Sequence, residues 1–526
     1  MKRISFATAV GVVAVLAAGP LLAETPPPAE ASQPAPAAQP IPAPSPTPEP
    51  PKLEVTFGGF YEFNGYSQNN FFLGKHASGG VTDRDDYMIQ LFRLTPTIAY
   101  GTAVRAVLTI DLAQKIFGLD NEQRDNDRAG FTNLFNRKDT NFLVHLDNAY
   151  VELSPAQFRG WSLRVGRMRN VLGNQLVLDQ DGDGIQISRF LSEDKVKLTL
   201  DWTKQFEGAD SLTDDSFVGG VNGKDTDLFY ADVAFKAGQF TLNPYFAYYD
   251  DRGWEDGTTY MPQGIQYFRA RFTPNLTTAS VFGFGWEGKI GRATFKGEGA
   301  YLTGKDKLQN ANSEANQLLD VNDGDLKGYT LYADVKAPVG KATLGALFGL
   351  GSGDDDPMSG DGNVTKIRTQ GFFYVNEVWE DSIMPDEQGI TPQGLGSPGS
   401  RGYREFENTT LGQLNCSVPF GKEWNLFLSA TLLHATEALR PWSDVNGNGA
   451  IDPGEFGTAS SKDLGEELDF KLDWKLLPSL TWSFRGGILF AGDATGYLIN
   501  GTDRFGDNPW ELRTTIRFNF AGLKLR

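Results

Sequence analysis

The chain has few of the residues on which many enzymes and cofactor-binding proteins depend. Among its 526 residues there is one cysteine, Cys416, and there are three histidines. A lone cysteine excludes an intrachain disulfide, a cysteine-based metal cluster and covalent haem attachment. None of the histidines (His76, His145 and His434) stands beside a convincing serine and aspartate arrangement, so we expect a protein that is not an enzyme.

Long apolar runs and excess positive charge are missing too. Beyond residue 23, no stretch of 18 or more apolar residues occurs, which excludes a helical membrane protein. The formal net charge is −18, so the chain lacks the basic surface that nucleic acid requires, and we expect no nucleic-acid partner. Acidity of this kind suits divalent cations or a solvated surface.

The first 51 residues differ from the rest. Lys2 and Arg3 precede an apolar run that ends near Leu16, and Ala23 is a small residue at a suitable cleavage point, which predicts a signal peptide over residues 1–23. Residues 24–51 contain 12 prolines, a composition that favours extended polyproline conformation and predicts a Pro-rich periplasmic linker. The alternative is an arm that contacts the cell wall or a partner.

From residue 52 to residue 526 the sequence alternates between apolar and polar residues with a period of two. In one run, Leu468, Phe470, Leu472 and Trp474 alternate with Glu467, Asp469, Lys471 and Asp473. Each such run predicts a strand with one apolar and one charged face. We predict eighteen strands, near residues 53–68, 87–100, 102–112, 141–153, 161–169, 183–191, 195–205, 227–236, 240–250, 278–289, 293–304, 328–338, 341–351, 408–420, 423–435, 466–477, 480–491 and 509–520.

The connections between these strands alternate in length. Even-numbered strands are followed by tight turns such as 291–292 and 421–422, whereas odd-numbered strands are followed by long loops such as 206–226 and 352–407. A soluble sandwich has no reason to sort its loops by parity, but a transmembrane barrel is organised in this way. The sequence therefore predicts an all-β fold, a transmembrane antiparallel β-barrel of about 18 strands. Residues 364–380 have β character of their own, either as a loop hairpin or as an extra pair of strands.

Two sets of side chains follow from the strand parity. Tryptophans on the apolar face near the short turns are typical of an interfacial girdle, and they are Trp161, Trp286, Trp424, Trp474 and Trp482. Charged residues on the other face are predicted to line the lumen and set selectivity: Arg93, Arg105, Arg164, Lys195, Lys197, Asp111, Glu152, Asp201, Arg513 and Arg517.

The preference of this lumen for anions or cations stays open, because cross-strand pairs of opposite charge would only brace the wall. We expect Arg93, Arg105 and Arg164 to form one basic strip opposite an acidic patch. The loop 352–407 carries 11 acidic and 4 basic residues and is the natural plug of the barrel.

Residues 444–455 follow the twelve-residue pattern of a calcium-binding loop. Gly449 supplies the sharp turn, and the predicted oxygen ligands are Asp444, Asn446, Asn448, the Ala450 carbonyl, Asp452 and Glu455. A second, incomplete copy contains Asp179, Asp181 and Asp183. Both copies are predicted on the long-loop side, where Ca²⁺ would have a structural role; the alternative is a solvated turn.

Short motifs add a family resemblance. Val165-Gly166-Arg167-Met168-Arg169, Gly351-Ser352-Gly353-Asp354-Asp355-Asp356 and Leu464-Gly465-Glu466-Glu467-Leu468-Asp469 resemble segments of the alginate-export type of outer-membrane porin. The resemblance implies an eighteen-stranded barrel, a monomer rather than a trimer, that passes anionic polysaccharide or small solutes. Porins usually end on an aromatic residue, whereas six residues follow Phe520 here; either Phe520 still serves or the last strand extends with a bulge.

Taken together, the sequence predicts an outer-membrane porin for passive transport of hydrophilic, charged or carbohydrate-like solutes, in contact with outer-membrane lipid. The alternatives are a non-conducting structural or adhesin barrel and, with less support, a barrel enzyme.

Overall fold

The structure is a computed structural model. It describes residues 52–70, 73, 84–116, 144–191, 195–206, 226–251, 276–307, 324–355, 363, 365, 367, 375–379, 406, 408–443, 445, 453–504 and 506–524. The predicted signal peptide and Pro-rich linker, residues 1–23 and 24–51, lie outside the described residues.

The described residues form eighteen strands, which agree in order with the eighteen predicted ones. The strands are β1 (Leu53–Asn69), β2 (Arg84–Tyr100), β3 (Val104–Ile116), β4 (Val144–Leu153), β5 (Trp161–Leu172), β6 (Leu178–Leu191), β7 (Val196–Phe206), β8 (Thr226–Ala237), β9 (Phe240–Asp251), β10 (Leu276–Ile290), β11 (Ala293–Lys307), β12 (Gly324–Val339), β13 (Ala342–Gly351), β14 (Thr409–Phe420), β15 (Trp424–Leu439), β16 (Ser461–Leu477), β17 (Leu480–Ala491) and β18 (Trp510–Lys524). An α-helix that the sequence did not predict, α1 (Asp493–Asn500), follows β17.

These strands close into one barrel. Each strand pairs antiparallel with the strand before and after it, and β1 also pairs with β18, where Glu62 lies opposite Arg517. Closure leaves no unpaired sheet edge, which is the condition for a sheet to span a membrane. The predicted eighteen-stranded barrel is confirmed. β18 runs beyond Phe520, and its register with β1 shifts between Phe57 and Gly59, which matches the predicted extension with a bulge.

The two faces of each strand differ as the alternation predicts. On β15, Leu428 and Leu432 are exposed on the outer face, while Ser429 and Thr431 are buried on the inner face. Exposed apolar side chains recur on the outer face around the barrel, among them Ile98, Val151, Val165, Phe282, Leu331, Phe348, Leu414, Leu468 and Leu512. A belt of this extent is unfavourable in water and is what a bilayer requires.

Aromatic rings cluster on the outer face beside the short turns. The Trp424 and Trp474 rings stack with their centroids 4.8 Å apart, and Trp482 and Phe420 extend the row on either side at 6.2 and 6.0 Å. Rings at this level are suited to the boundary between acyl chains and headgroups. Three of the five predicted girdle tryptophans therefore lie in one continuous row.

No helix among the described residues is long and apolar enough to cross a membrane.

The tip of the β5–β6 hairpin leaves the barrel wall. Pairing of β5 with β4 ends at Arg167, and pairing of β6 with β7 ends at Asp183, yet β5 and β6 stay paired with each other as far as Leu172 and Leu178. We call residues 168–182 the inserted hairpin. Its tip reaches strand β11, 124 positions away in the chain, where the Asn174 amide donates to the Glu298 carboxylate.

A second insertion comes from the predicted plug loop. Residues 375–379, the inserted segment, lie against the inner wall, and three consecutive amides, those of Glu377, Val378 and Trp379, donate to the buried Glu467 carboxylate of β16 at 3.0, 2.7 and 2.9 Å. The described part of residues 364–380 contains no strand. The predicted plug role of loop 352–407 thus gains support from the part of it that the structure describes.

Apolar packing fills one side of the lumen. Leu172 and Leu178 of the inserted hairpin belong to a buried cluster with side chains of β8–β12, such as Tyr230 and Leu302. Leu176 and Trp379 belong to a second cluster, which includes residues of β12–β17 and of helix α1. The inserted elements are therefore held by packing as well as by hydrogen bonds.

Candidate pore lining and constriction

Arginines are concentrated on the inner face of one arc of the barrel, from β17 through β18 and β1 to β5. Each of these arginines stands at a position of its strand whose side chain points inward, so the alternation along the strand is enough to bring it to the lumen. We call this set the arginine wall: Arg93, Arg105, Arg164, Arg485, Arg513 and Arg517.

The predicted basic strip of Arg93, Arg105 and Arg164 lies within this wall, but carboxylates are interleaved with it. Arg93 donates to Asp111 with two hydrogen bonds of 2.6 Å and also contacts Asp147.

On the neighbouring strands, Glu152 accepts hydrogen bonds from Arg105 at 2.6 Å and from Arg164 at 2.9 Å. Three arginines thus meet three carboxylates on the same wall. This arrangement both braces the strands and leaves guanidinium edges toward the lumen, since Arg105 and Arg164 side chains remain 46% and 33% exposed.

Strand β18 carries two of the predicted lumen arginines, Arg513 and Arg517. Arg517 donates to Glu62 at 2.9 Å and lies over the Phe60 ring at 3.9 Å. Arg513 donates to the Tyr66 hydroxyl at 2.8 Å and to Glu377 of the inserted segment at 3.1 Å. Arg513 is therefore the point where the wall and the inserted segment meet.

The inserted hairpin carries a second row of charges. Arg169 and Asp179 pair through two hydrogen bonds of 2.5 and 2.6 Å, and at the base of the hairpin, on the barrel wall, Arg167 lies 3.9 Å from Asp183. Asp181, between these pairs, interacts electrostatically with Asp147 and Arg93 of the wall. The charges of the hairpin and of the arginine wall thus influence one another.

The placement of Asp179, Asp181 and Asp183 corrects the sequence-based expectation. The sequence predicts a strand only from Asp183 onward, with Asp179 and Asp181 in the long connection before it, but the structure places all three on the regular strand β6. Alternate residues of a strand lie roughly 6.5–7 Å apart along one face, whereas a calcium loop bends so that its ligands converge. The hairpin continues as strand because β5 and β6 pair with each other without the wall.

The remaining predicted lumen residues are distributed around the barrel. Lys197 lies on the inner face of β7, half-buried, whereas Lys195 precedes the strand and is exposed at the turn. Asp201 is buried and accepts hydrogen bonds from Thr203 at 2.6 Å and from Gln186 at 3.3 Å, so it braces β6 and β7.

An open cavity of about 590 Å³ remains at the short-turn end of the lumen, on β9–β12. Three lysines and two carboxylates line it, namely Lys289, Lys296, Lys336, Glu287 and Asp334. Lys336 and Asp334 pair at 2.7 Å, so this mouth of the lumen also presents mixed charge.

The structure describes one of the six predicted ligands of the calcium loop, Glu455. Asp444, Asn446, Asn448, Ala450 and Asp452 lie outside the described residues. Glu455, the last predicted ligand, folds back over the start of the loop and accepts a hydrogen bond of 2.7 Å from the Val445 amide.

Two charged residues of the site escaped the sequence prediction. Asp147 sits at a register shift between β3 and β4, which moves it off the regular alternation, and its carboxylate, that of Asp111 and the His145 ring have ligand atoms within 4.8 Å of one another. Arg93 already contacts both carboxylates, so the group is a charge network. Glu377 lies outside any strand, where periodicity carries no signal.

Comparison with solved structures finds porin barrels. The chain is similar to the crystal structure of Pseudomonas aeruginosa OccK11 (OpdR), with 11% identity, 90% of this chain and 96% of that chain covered, and a TM-score of 0.44. Acinetobacter baumannii OccAB2 has 13% identity, with 90% of this chain and 98% of that chain covered and a TM-score of 0.47. A BenF-like porin from Pseudomonas fluorescens Pf-5 has 11% identity, with 89% of this chain and 98% of that chain covered and a TM-score of 0.47.

No family model and no curated protein sequence matches the chain. The assignment of the fold rests on the strand pairing described above, and the resemblance to the alginate-export type is not confirmed by these neighbours.

Proposed function

We propose that this chain is an outer-membrane porin through which hydrophilic solutes diffuse passively. One observation carries the proposal: a closed barrel exposes apolar side chains on its outer face and holds arginines and carboxylates on its inner face. Such a barrel puts its outward side chains in lipid and encloses a polar path.

The solutes that this lumen favours are small anionic or zwitterionic compounds. The arginine wall offers planar guanidinium groups, which bind carboxylates and related anions with two parallel hydrogen bonds. Transport of anionic saccharides, the property implied by resemblance to alginate-export porins, is a narrower form of this proposal. The inserted hairpin and the inserted segment occupy part of the lumen, which favours a selective channel rather than a wide, open pore.

The competing functions have less support. A barrel enzyme would need an activated nucleophile or acid–base set, but His434 lies exposed on the strand face that also carries Leu432, and the partner of His145 is Asp147. A non-conducting adhesin has no need of charged inward side chains on so many strands. We further propose that the barrel acts as a monomer and that residues 24–51 reach the cell wall.

Calcium binding to residues 444–455 is a separate proposal. It is supported by the hydrogen bond from Val445 to Glu455, which brings the last predicted ligand back to the beginning of the loop, as a twelve-residue calcium loop requires. The ion would brace an extracellular loop and would not take part in transport.

Planar-bilayer recording of the purified full-length chain tests the porin proposal. We expect stepwise currents in symmetrical potassium chloride, with a reversal potential in a salt gradient that reports the charge preference. Detergent without protein is the control. Correctly inserted barrels that carry no current above this background would overturn the proposal and favour the adhesin.

A further inference from the structure

One carboxylate in the lumen differs from all the braces between neighbouring strands. Glu377 belongs to the inserted segment, and its Oε2 atom accepts hydrogen bonds from Arg485 Nε at 2.5 Å and from Arg513 at 3.1 Å. The two arginines lie on β17 and β18, 108 and 136 positions away in the chain. The Glu377 side chain of the inserted segment therefore fills the space between two arginines of neighbouring wall strands.

This contact has the chemistry of ligand recognition. Two guanidinium groups that converge on one carboxylate oxygen form charge-assisted hydrogen bonds, the usual means by which proteins bind organic carboxylates. The site is also largely shielded from water, since Arg513, Glu377 and Arg485 side chains are only 9%, 13% and 26% exposed.

Tyr66 completes the site. Its hydroxyl accepts from Arg513, and the guanidinium carbon of Arg513 lies 5.0 Å from the centre of the Tyr66 ring. These contacts orient Arg513 independently of Glu377, so the arginine would keep its position if another carboxylate replaced that of Glu377.

The inserted segment packs closely against β17. Asn376, the residue before Glu377, is 3% exposed, and neither its amide nitrogen nor its amide oxygen has a hydrogen-bond partner among the described residues. Gly487 of β17 permits this packing, because a Cβ there would clash with Asp469 Oδ1 and would lie 3.1 Å from Val378 and 3.3 Å from Glu377.

We infer that Arg485 and Arg513 form a binding site for the carboxylate of a permeating organic anion, and that Glu377 occupies this site as an internal competitor that holds the inserted segment closed. The inference deepens the proposed channel function and rests on it. A solute carboxylate that takes the place of Glu377 releases the ionic contact of the segment with β17 and β18. The three backbone hydrogen bonds to Glu467 remain, so the segment shifts without leaving the lumen.

Two readouts test the inference, one electrical and one independent of current. Single-channel conductance is recorded in potassium chloride, in potassium propionate at equal ionic strength, and in chloride with the uncharged analogue propionamide. In parallel, acrylamide quenching of tryptophan fluorescence reports the exposure of Trp379, which is 1% exposed in the inserted segment. W379F identifies the part of the signal that comes from this residue.

The wild-type chain is expected to occupy its high-conductance state at least threefold more in propionate than in chloride, with no change in propionamide. Trp379 quenching should rise with propionate in the same concentration range. E377Q and R485Q each weaken the ionic contact between Glu377 and the two arginines. Both variants should therefore occupy the high-conductance state, and show increased Trp379 quenching, in chloride without propionate.

E62Q is the matched control. Glu62 also pairs with an arginine of β18, Arg517 at 2.9 Å, but it lies on the wall strand β1. Loss of this lumen carboxylate can change the ion selectivity, but Trp379 quenching in E62Q should stay low in chloride and rise with propionate as in the wild type. Folding of every variant is checked by the heat-dependent shift of the barrel in gel electrophoresis.

The outcomes are distinct. If E377Q and R485Q match the wild type in both solutions, or if E62Q changes the response as they do, the inference is wrong. If propionate changes Trp379 quenching but no variant conducts, the carboxylate site stands and the channel function fails. If currents appear but neither readout responds to propionate, the channel stands and the carboxylate site is overturned.

Discussion

The Arg105 guanidinium of β3 donates a hydrogen bond of 2.6 Å to the Glu152 carboxylate of β4. The same carboxylate accepts from Arg164 of β5, so one negative charge is shared by two positive ones. Arg105, Glu152 and Arg164 together carry one net positive charge, whereas the neighbouring group of Arg93, Asp111 and Asp147 carries one net negative charge, so the balance of the wall depends on Glu152.

E152Q should therefore make the pore more selective for anions. A unit charge about 10 Å from an ion in water contributes about 0.4 kcal/mol, which is roughly a twofold change for each ion, in opposite directions for anion and cation, and so about a fourfold change in the anion-to-cation permeability ratio. The measurement is the reversal potential in a potassium chloride gradient. E423Q removes the same charge at the exposed turn between β14 and β15 and should leave the ratio unchanged; equal shifts in the two variants would contradict the prediction.

The tip of the inserted hairpin depends on Glu298 of β11. This buried carboxylate accepts from the Tyr245 hydroxyl at 2.5 Å and from the Asn174 amide. E298A leaves both donors without their acceptor, and each unsatisfied group costs about 1–3 kcal/mol. We expect urea unfolding of the folded barrel to shift to lower concentration, with noisier single-channel currents.

E287A is the control for this experiment, since Glu287 is an exposed carboxylate on the neighbouring strand β10. A variant E298A that unfolds at the same urea concentration as E287A would show that the hairpin tip is not held by this contact.

The inserted segment is held by the Glu467 carboxylate, which is 0% exposed and accepts hydrogen bonds from three backbone amides. E467A should lower the free energy of unfolding by about 3 kcal/mol, because three buried amides lose their common acceptor. E466A, one position along the same strand, changes an exposed side chain and should have little effect. Limited proteolysis of the folded protein provides a second measurement, since a released segment becomes cleavable.

The outer belt predicts how the barrel responds to charge on its lipid-facing surface. Leu414 is 69% exposed on β14, well away from the turns, whereas Val339 is 55% exposed at the short turn after β12. L414R should cost about 2–4 kcal/mol of folding free energy in lipid vesicles, and V339R about 0–1 kcal/mol, because the penalty falls toward the interface. Equal penalties for the two variants would contradict the prediction that Leu414 lies deeper in the bilayer than Val339.

Calcium should stabilise the chain through residues 444–455. An extracellular site with a dissociation constant of 0.1–1 mM would raise the unfolding free energy by about 1–3 kcal/mol at roughly 10 mM calcium. Thermal unfolding with calcium and with a chelator measures this shift. E455Q should abolish the calcium-dependent shift, whereas D503N, at an exposed acidic residue before β18, should retain it. An unchanged shift in E455Q would show that Glu455 is not a calcium ligand.

Much of the barrel is predictable because its determinants are local. Alternation along β15 and β16 requires only neighbouring residues in the chain, and each strand end is marked by a turn such as that at Gly421, whose φ is +68°. The inward positions of Arg93 and Arg105 follow from the same local rule. The predicted bounds fall three to five residues short at several long-loop ends, among them those of β5, β6, β12, β15 and β16, because these strands continue beyond the clear alternation.

The interior of the lumen is different. The sequence by itself determined the number of strands, their faces and the side on which the long loops lie, because a strand places alternate side chains on opposite faces whatever lies around it. Only the tertiary structure decided that the β5–β6 hairpin reaches Glu298, that Asp147 joins Arg93, and that Glu377 lies between Arg485 and Arg513. Those contacts join residues far apart in the chain, and closure of the barrel, which brings them together, leaves no periodic trace in the sequence.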